Sequence, residues 1–288
     1  MNKNTTHKYT LMLTFIFLYF FSFNTIEVKA SKHGIGYHIE MLDWVEVNKQ
    51  LPKFSKFHVL DTESGRMFEV QRRAGSNHAD VQPLTAKDTK IMKEIYNGKW
   101  SWRRRSIIVI TKDRWIAASM HGMPHGAGAL PNNFPGHFCI HFYGSTTHRT
   151  NEMDLSHKLM IFKASGRLYP YLTFANAEEV IHSYITGLKE HDEQIAEFIS
   201  LQTINWNTVF PEIENAKLSA VELPEETTDL SDLVLEVPVK IEWYIKEHGK
   251  QIFNGKIVLV RFSAAGPWKV DSLQFFEDHK QLLTEPKK

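Results

Sequence analysis

The sequence predicts an α+β protein, with a mainly β domain over residues 31–175 followed by a helix and a curled antiparallel sheet over residues 176–288. Three observations predict this class. Short runs of alternating apolar and polar residues recur in the first part, as in half-buried strands. A long apolar pattern with helical spacing opens the second part, and strand-like runs follow it. Near residue 175 the charge also changes sign, which marks a domain boundary.

The charge of the chain is divided unevenly. Residues 31–175 contain 20 Lys and Arg against 12 Asp and Glu, whereas residues 176–288 contain 11 against 20. The net charge of +1 is therefore a cancellation between a basic N-terminal part and an acidic C-terminal part. Ten of the 15 histidines also fall in the basic part. A hydrophobic content of 42% and a charged content of 23% are typical of globular proteins and exclude bulk disorder, collagen and coiled coil.

The N-terminus predicts export. Residues 9–23 form an apolar run of 15 residues, preceded by Lys3 and Lys8 and followed by Val28-Lys29-Ala30, which is the layout of a signal peptide over residues 1–30. An uncleaved anchor is the alternative, although a membrane span needs about 20 residues. No cysteine lies near the cleavage site, which excludes a lipoprotein. We expect a secreted protein that meets a membrane only through such an anchor.

The N-terminal part combines short strands with two helices. The predicted strands form hairpins around residues 63–65 and 112–113, and a Gly/Pro-rich segment covers residues 122–136. Thr85, with Asp88 three residues later, predicts a capped helix, and Asp154 begins another. The strands are expected at 57–60, 67–71, 107–110 and 115–120, and the helices at 85–96 and 154–164.

The C-terminal part predicts one long helix and then a sheet. Asn176 and Glu179 form a capping box, and apolar residues continue at helical spacing to Ile199. Strands are expected at 237–245, 257–262 and 268–270, with a turn at 248–250. This order resembles the cystatin-like cone fold. The resemblance implies an accessory binding or positioning domain, because no set of catalytic side chains is evident here.

The chemistry is concentrated between His121 and His141, in the segment HGMPHGAGALPNNFPGHFCIH. It holds four histidines and Cys139, the only cysteine of the chain. A thiol becomes nucleophilic as thiolate, which a neighbouring imidazole can promote. His137 is two residues from Cys139, so both project from one face of a strand. His121 ends the preceding strand and can bring a second imidazole to the sulfur, while backbone N–H groups near Cys139 can hold an oxyanion.

This segment resembles the YkuD-type L,D-transpeptidases. That family carries a strand ending in His-Gly, a glycine-containing loop, and then Ser-His-Gly-Cys-x-Arg. This chain has Met120-His121-Gly122, the loop, and then Gly136-His137-Phe138-Cys139-Ile140-His141. The resemblance covers roughly residues 55–145. It departs from the family at Gly136, Phe138 and His141, where the family has Ser, Gly and Arg.

The resemblance implies a cell-wall transferase without a cofactor. The Cys139 thiolate would attack an L-to-D peptide bond in a peptidoglycan stem peptide, and an amine or water would resolve the acyl-enzyme. His121 would act as the base, and His137 would orient the thiol. We expect the substrate to be contacted by further residues around this motif: Gly122, His125, Phe138, His141 and Trp102. Peptidoglycan stem peptides are the expected partners, and no nucleic acid is expected.

Two other functions fit the same residues. His137, Cys139 and His141 alternate along one strand face and could hold zinc in a peptidoglycan hydrolase, with Glu152 or Asp154 as the general base. His148 and His157 add to the local excess of histidine. A non-catalytic cell-wall-binding protein is the third interpretation.

Two further segments have weaker signals. Residues 76–80, Ser-Asn-His-Ala-Asp, favour a polar turn, with a substrate or metal contact through His78 and Asp80 as the alternative. Residues 100–105, Trp-Ser-Trp-Arg-Arg-Arg, favour a strand start with buried Trp and solvated Arg, with a sugar-stacking surface as the alternative.

Overall fold

The computed structural model of the protein describes residues 38–147, 152–223 and 232–279. These residues belong to one compact unit. The predicted signal peptide and His148 lie outside the described residues. Across the described segments, each helix is too short or too polar to cross a lipid bilayer.

The N-terminal part is built on a seven-stranded sheet. β7 pairs with both β4 and β6, so that β2–β7 close into a barrel, while β1 adds in parallel to β6. The four strands predicted from sequence are confirmed, whereas β1 and β4 were not predicted. In chain order the strands are β1 (Ile39–Glu40), β2 (Lys56–Asp61), β3 (Met67–Ala74), β4 (Ala79–Pro83), β5 (Arg104–Ile110), β6 (Trp115–His121) and β7 (Phe138–His141).

Alternation along the strands separates an apolar interior from a polar outer face. Phe57 and Val59 of β2 are buried in the barrel core together with Val81, Phe138 and other apolar residues of the closing strands. Successive side chains of a strand point to opposite faces, so the intervening residues of β4, β6 and β7 face outward. The buried polar residues of these strands therefore gather on the outside of the barrel, where other segments cover them.

Four helices accompany this barrel along the chain. The capping box of Thr85 and Asp88 is confirmed at the second of them, and Asp154 caps the third as predicted. The third helix packs on the outer face of β5 and β6 and covers part of the polar face. The helices are α1 (Trp44–Gln50), α2 (Ala86–Ile95), α3 (Leu155–Ala164) and α4 (Leu168–Phe174).

The C-terminal part opens with two helices, not one. The Asn176–Glu179 capping box begins α5 (Ala177–Glu190) as predicted, but α5 ends at His191, whose φ of 56° is left-handed. Asp192 then caps α6 (Glu193–Ile199) through the Ile195 N–H. The expectation of a continuous helix to Ile199 was wrong, because a residue in this conformation ends a helix even where the apolar spacing continues.

A four-stranded antiparallel sheet follows, in the order β11-β10-β9-β8. The expected strands are confirmed in position, with β10 longer than predicted, while β8 and the last helix were not predicted. The elements are α7 (Trp206–Val209), a 3₁₀ turn (Phe210–Glu212), β8 (Ile213–Val221), β9 (Val234–Ile245), β10 (Gly249–Val260), β11 (Lys269–Val270) and α8 (Ser272–Asp278). The molecule is therefore α+β, with a mainly β barrel and a curled antiparallel sheet with helices.

Helix α3 contacts both parts of the chain. Its residues Leu159 and Met160 belong to the core that also contains α5 and the second sheet, while Ile161 packs on Ala117 of β6. One helix thus contributes apolar side chains to two cores. This places the outer face of the barrel beside the C-terminal part.

Arg72 on β3 is a buried cation that supports the turn before β4. It is only 2% exposed, and its guanidinium donates to the carbonyls of Leu51 and Gly75 and to Asn48 Oδ1, the last at 2.6 Å. Gly75 has a φ of +96°, and a Cβ there would lie 1.9 Å from the His78 carbonyl oxygen. Arginine and glycine at these positions are therefore required by the turn that leads into β4.

Replacing Arg72 with lysine should lower the free energy of unfolding by about 2–4 kcal/mol, because an ammonium cannot reach the same set of carbonyls and leaves them buried and unpaired. Chemical denaturation measures the change. Arg73→Lys, at the adjacent and more accessible arginine, is the matched control and should change stability by less than about 0.5 kcal/mol. Equal effects of the two substitutions would contradict this role for Arg72.

His279 makes folding pH-dependent. It is 3% exposed between the rings of Phe253 and Phe275, and burial lowers its pKa to about 4. Its contribution to stability is full above its unfolded pKa of about 6.5 and is lost as the pH falls toward 4.

We expect His279→Leu to flatten the decline in unfolding free energy between pH 6.5 and 4 by roughly 2 kcal/mol, because leucine has no proton to gain. Denaturation at a series of pH values tests this, with His58→Leu at an exposed position of β2 as control. A pH dependence parallel to that of the native protein would show that His279 is not responsible.

Candidate functional site

Closure of the barrel by β7 assembles the candidate site. Asp80 of β4 stands directly opposite Cys139 of β7, and Ser119 of β6 stands opposite His141. Residues that are paired across a sheet project from the same face. The three strands therefore bring these side chains together on the outer face of the barrel, where α3 and the loop of residues 122–137 cover them.

Cys139 lies at the centre of the site. It is 5% exposed, and its Sγ is 3.3 Å from His125 Nε2 and 3.7 Å from Asp80 Oδ1. Burial, the charge of Asp80 and a hydrogen bond from the thiol to that carboxylate all raise the pKa of Cys139 far above its usual value. In this environment the sulfur is a protonated thiol unless a cation approaches it.

Three imidazoles are oriented by backbone carbonyls. The Nδ1 atom of each lies at hydrogen-bond distance from a carbonyl oxygen: His78 from Thr146 at 2.9 Å, His125 from Met123 at 3.1 Å and His137 from Ala127 at 3.1 Å. Because a carbonyl only accepts, each Nδ1 carries the proton and each Nε2 keeps its lone pair in the neutral ring. All three Nε2 atoms face the Cys139–Asp80 pair.

Asp80 Oδ1 is shared between these rings. It lies 3.3 Å from His78 Nε2 and 3.9 Å from His137 Nε2, in addition to its contact with the thiol. The polar turn favoured for residues 76–80 is present at residues 76–78, whereas Ala79 and Asp80 already belong to the buried strand β4. Carboxylate oxygen and imidazole nitrogen are both acceptors here, so a proton or a metal ion must lie between them for the contact to be favourable.

His121, the predicted base, is placed differently. Its Nδ1 accepts a hydrogen bond from the Met123 N–H at 3.3 Å, so the neutral ring carries its proton on Nε2. Burial is the main cause that holds its pKa well below the usual value. The ring packs on Trp102 with 4.7 Å between centroids. The imidazole that touches the thiol is His125, which is half-buried and whose pKa burial also lowers.

A stack of three imidazoles lies at the α3 side of the site. His78 and His141 are parallel with 4.4 Å between centroids, and His141 and His157 with 3.8 Å. His157 Nδ1 is 2.9 Å from Ser119 Oγ, and burial holds the pKa of His157 well below its usual value. A neutral imidazole presents a lone pair to a cation, and burial favours the neutral form of His157.

Two groups of three side chains, among the described residues, have the spacing of metal ligands. One contains His78, Cys139 and His141, and the other contains His121, His125 and Cys139, with ligand atoms within 4.8 Å of one another in each. Cys139 belongs to both groups. The zinc set expected from sequence was His137, Cys139 and His141; the structure brings Cys139 and His141 together, but His137 belongs to neither group.

The loop of residues 122–137 folds back on itself to deliver His125 and His137. The two residues exchange backbone hydrogen bonds of 2.9 Å, which hold their rings 4.5 Å apart. Gly136 has a φ of +129°, and a Cβ there would lie 2.5 Å from the His125 carbonyl oxygen. The serine that the L,D-transpeptidases carry at this point of their motif would not fit here, so the conformation of this loop requires Gly136.

Of the remaining residues that were expected to contact the substrate, two are buried in the interior and one lies at the surface. Phe138 is fully buried in the barrel, where it packs on Phe68 and Phe134, and so does not face a substrate. Gly122 is also buried, and a Cβ there would lie 2.4 Å from the ring of Tyr96. Trp102 is 51% exposed and lies over His125 with 5.4 Å between centroids. It is therefore placed to contact a ligand.

The two acids considered as general bases serve other contacts. Asp154 caps α3 and pairs with Arg104 at 3.3 Å. The backbone carbonyl of Glu152 accepts from the Thr147 N–H. Neither observation places a carboxylate at the sulfur, where Asp80 lies instead.

A cleft of about 740 Å³ opens beside the site. Trp102 and Met123 line it on the barrel side, and Lys189 and Glu214 line it on the side of the C-terminal part. Both Trp102 and Met123 touch the His121–His125 pair, so the cleft leads to the centre. The signal for this surface in the sequence was the Trp-Arg run of residues 100–105, in which Trp102 is exposed and not buried as the sequence favoured. The signal for His78 and Asp80 was their His-x-Asp spacing.

Comparison of the chain with protein-family models, with curated proteins and with solved structures finds no match.

The carboxylate of Asp80 should control the reactivity of Cys139. In protein stripped of metal by a chelator, we expect Asp80→Asn to speed alkylation of Cys139 by iodoacetamide at pH 8 by about tenfold, because removal of the adjacent negative charge lowers the thiol pKa. The rate is followed by mass spectrometry. Asp113→Asn, in the exposed β5–β6 turn, is the control. An unchanged or slower rate in Asp80→Asn would contradict this electrostatic effect.

Proposed function

We propose that this chain is an exported, zinc-dependent hydrolase that acts on peptidoglycan stem peptides. The metal would be held at the outer face of the barrel by Cys139 and Asp80 with the imidazoles around them. Of the functions considered from sequence, this one is best supported by the geometry of the site.

One observation carries the proposal. His78 Nε2, Asp80 Oδ1 and Cys139 Sγ are joined by contacts of 3.3 Å and 3.7 Å. Zinc bonds of 2.0–2.3 Å in tetrahedral geometry place neighbouring ligand atoms about 3.3–3.6 Å apart. Both separations from Asp80 Oδ1 are therefore close to those between neighbouring ligands of one ion, and His78 and Cys139 also form a group with His141 whose ligand atoms lie within 4.8 Å of one another.

The donor set also suits zinc chemically. Thiolate, imidazole and carboxylate together form a borderline-soft set that zinc prefers. Ligating histidines usually donate their other ring N–H to a carbonyl, as His78 does to Thr146. A bound cation would also offset the cost of a thiolate beside the Asp80 carboxylate.

His125 is the proposed general base. It is neutral because burial lowers its pKa, and its ring is fixed by the Met123 carbonyl on the cleft side of Cys139. Zinc lowers the pKa of a bound water to about 7 and makes it a nucleophile. His125 would accept the proton of that water and return it to the leaving amine.

The substrate class rests on the sequence. The signal-peptide layout and the resemblance to L,D-transpeptidases support a cell-wall peptide, and the basic N-terminal part favours an anionic polymer. We assign the barrel to catalysis and the curled sheet with its helices to an accessory role, as in cystatin-like domains. The protein would act outside the cytoplasm, in contact with the wall.

A cysteine acyltransferase is the second candidate. The 3.3 Å contact between Cys139 Sγ and His125 Nε2 is the geometry of a nucleophile and its base. In that case the thiol would attack the peptide carbonyl directly, with His125 in the role expected of His121. The buried carboxylate of Asp80 disfavours the thiolate that this mechanism needs.

The metal content of the mature protein tests the proposal. We expect about one equivalent of zinc, loss of D-alanine release from a stem tetrapeptide on chelation, and recovery when zinc is returned. His78→Gln and Asp80→Asn should lose the metal. His125→Gln should keep it and lose activity by about 10²–10⁴-fold, the usual contribution of general base catalysis.

His182→Gln, at an exposed histidine of α5, is the matched control and should leave both metal and activity unchanged. A protein without metal whose Cys139 is alkylated rapidly at neutral pH would exclude the zinc enzyme and favour the acyltransferase. A protein with neither metal nor a reactive thiol would be a binding module.

A further inference from the structure

The cleft beside the candidate site has walls from both parts of the chain. On one side lie Trp102, Arg103 and Met123, and on the other lie Lys189, Glu190 and Glu214. On the barrel side, Trp102 and Met123 contact His121 and His125. Whatever occupies the cleft thus contacts the catalytic side and the C-terminal part together.

Several charges of the cleft are compensated within the protein. Arg104 pairs with Asp154 at 3.3 Å, and Lys189 lies 3.3 Å from Glu190. Glu190 is buried and also accepts the Arg104 backbone N–H at 2.7 Å. The Glu190–Arg104 contact joins the two walls. The charges of these groups are not fully available to a ligand.

Two charged groups in the cleft make no such close contact, although the charge of Glu190 acts on one of them, Arg103. Among the described residues, the guanidinium of Arg103 makes no ion pair or hydrogen bond, and the carboxylate of Glu214 makes none either. Both residues are exposed. Arg103 is nevertheless partly desolvated, since burial lowers its pKa. A cation and an anion of this kind are placed to bind opposite charges of a ligand.

We propose that this cleft binds a short zwitterionic peptide, with the free carboxylate of the peptide at Arg103 and a free amine at Glu214. Trp102, which precedes Arg103 in the chain, packs on His121 and His125 and offers an exposed ring to the peptide backbone or side chains. The inference rests on the proposed function for its substrate class, and it gives the C-terminal part a direct role in substrate selection.

Binding of four peptides to the mature protein tests the proposal. The probes are a stem tetrapeptide, its C-terminal amide, its form with acetylated amines, and the form with both modifications. Trp fluorescence or calorimetry gives the Kd. We expect Arg103→Gln to weaken binding of the free-acid peptides about tenfold and to leave the amides unchanged, as for the loss of one charge-assisted hydrogen bond.

Glu214→Gln should in the same way weaken the binding only of the peptides with a free amine. Arg103→Lys should keep part of the preference for the free-acid peptides. Arg73→Gln and Glu236→Gln, at charged residues outside the cleft, are the matched controls. If a substitution weakens the binding of all four peptides equally, or of none of them, the proposal is overturned.

The failure of this inference and that of the proposed function are distinguishable. Each titration is made with the protein as purified and after chelation. Charge-dependent binding that persists without metal supports the proposed peptide binding in the cleft, even if no hydrolysis is found. Hydrolysis that requires zinc but does not depend on the charges of the peptide supports the proposed enzyme activity and overturns the proposed peptide binding in the cleft.

Discussion

The contact between Cys139 and Asp80, across the strands that close the barrel, is the constraint on which the site depends. Phe138 and Ile140 must face the barrel core, so alternation turns Cys139 outward, and the register sets it opposite Asp80. A buried thiolate beside a carboxylate is costly unless a proton or a cation joins them. The chain surrounds this pair with imidazoles, and the polar outer face is organised around it.

Backbone atoms do most of the positioning. Carbonyl oxygens fix which nitrogen of His78, His125 and His137 faces the centre. The turn before β4 is held by Arg72, and the loop after β6 is held by the exchange of hydrogen bonds between His125 and His137. Apart from the buried side chain of Arg72, these supports are backbone groups, so the lone pairs keep their directions before any ligand arrives.

The opposite charges of the two parts meet in specific contacts. Lys163 of α3 lies 2.6 Å from Asp192, the cap of α6, and 3.1 Å from Glu63 beside the barrel. Glu190 of α5 accepts the Arg104 N–H where β5 begins. The sign change in the sequence therefore corresponds partly to contacts between the two parts of the chain, and partly to the charges of Arg103 and Glu214 in the cleft.

Local signals in the sequence determined the α+β class, most strands of the barrel, the caps at Thr85, Asp154 and Asn176, and the segment that carries Cys139. These depend on periodicity and on side chains that bond to the backbone a few residues away. The break at His191 and the partners of Cys139 were decided by the tertiary structure. Asp80 is 59 residues from Cys139 in the chain, and only the closure of the barrel sets their register. His125, and not His121, contacts Cys139 because of the way the loop of residues 122–137 folds back. No spacing in the sequence determines that fold.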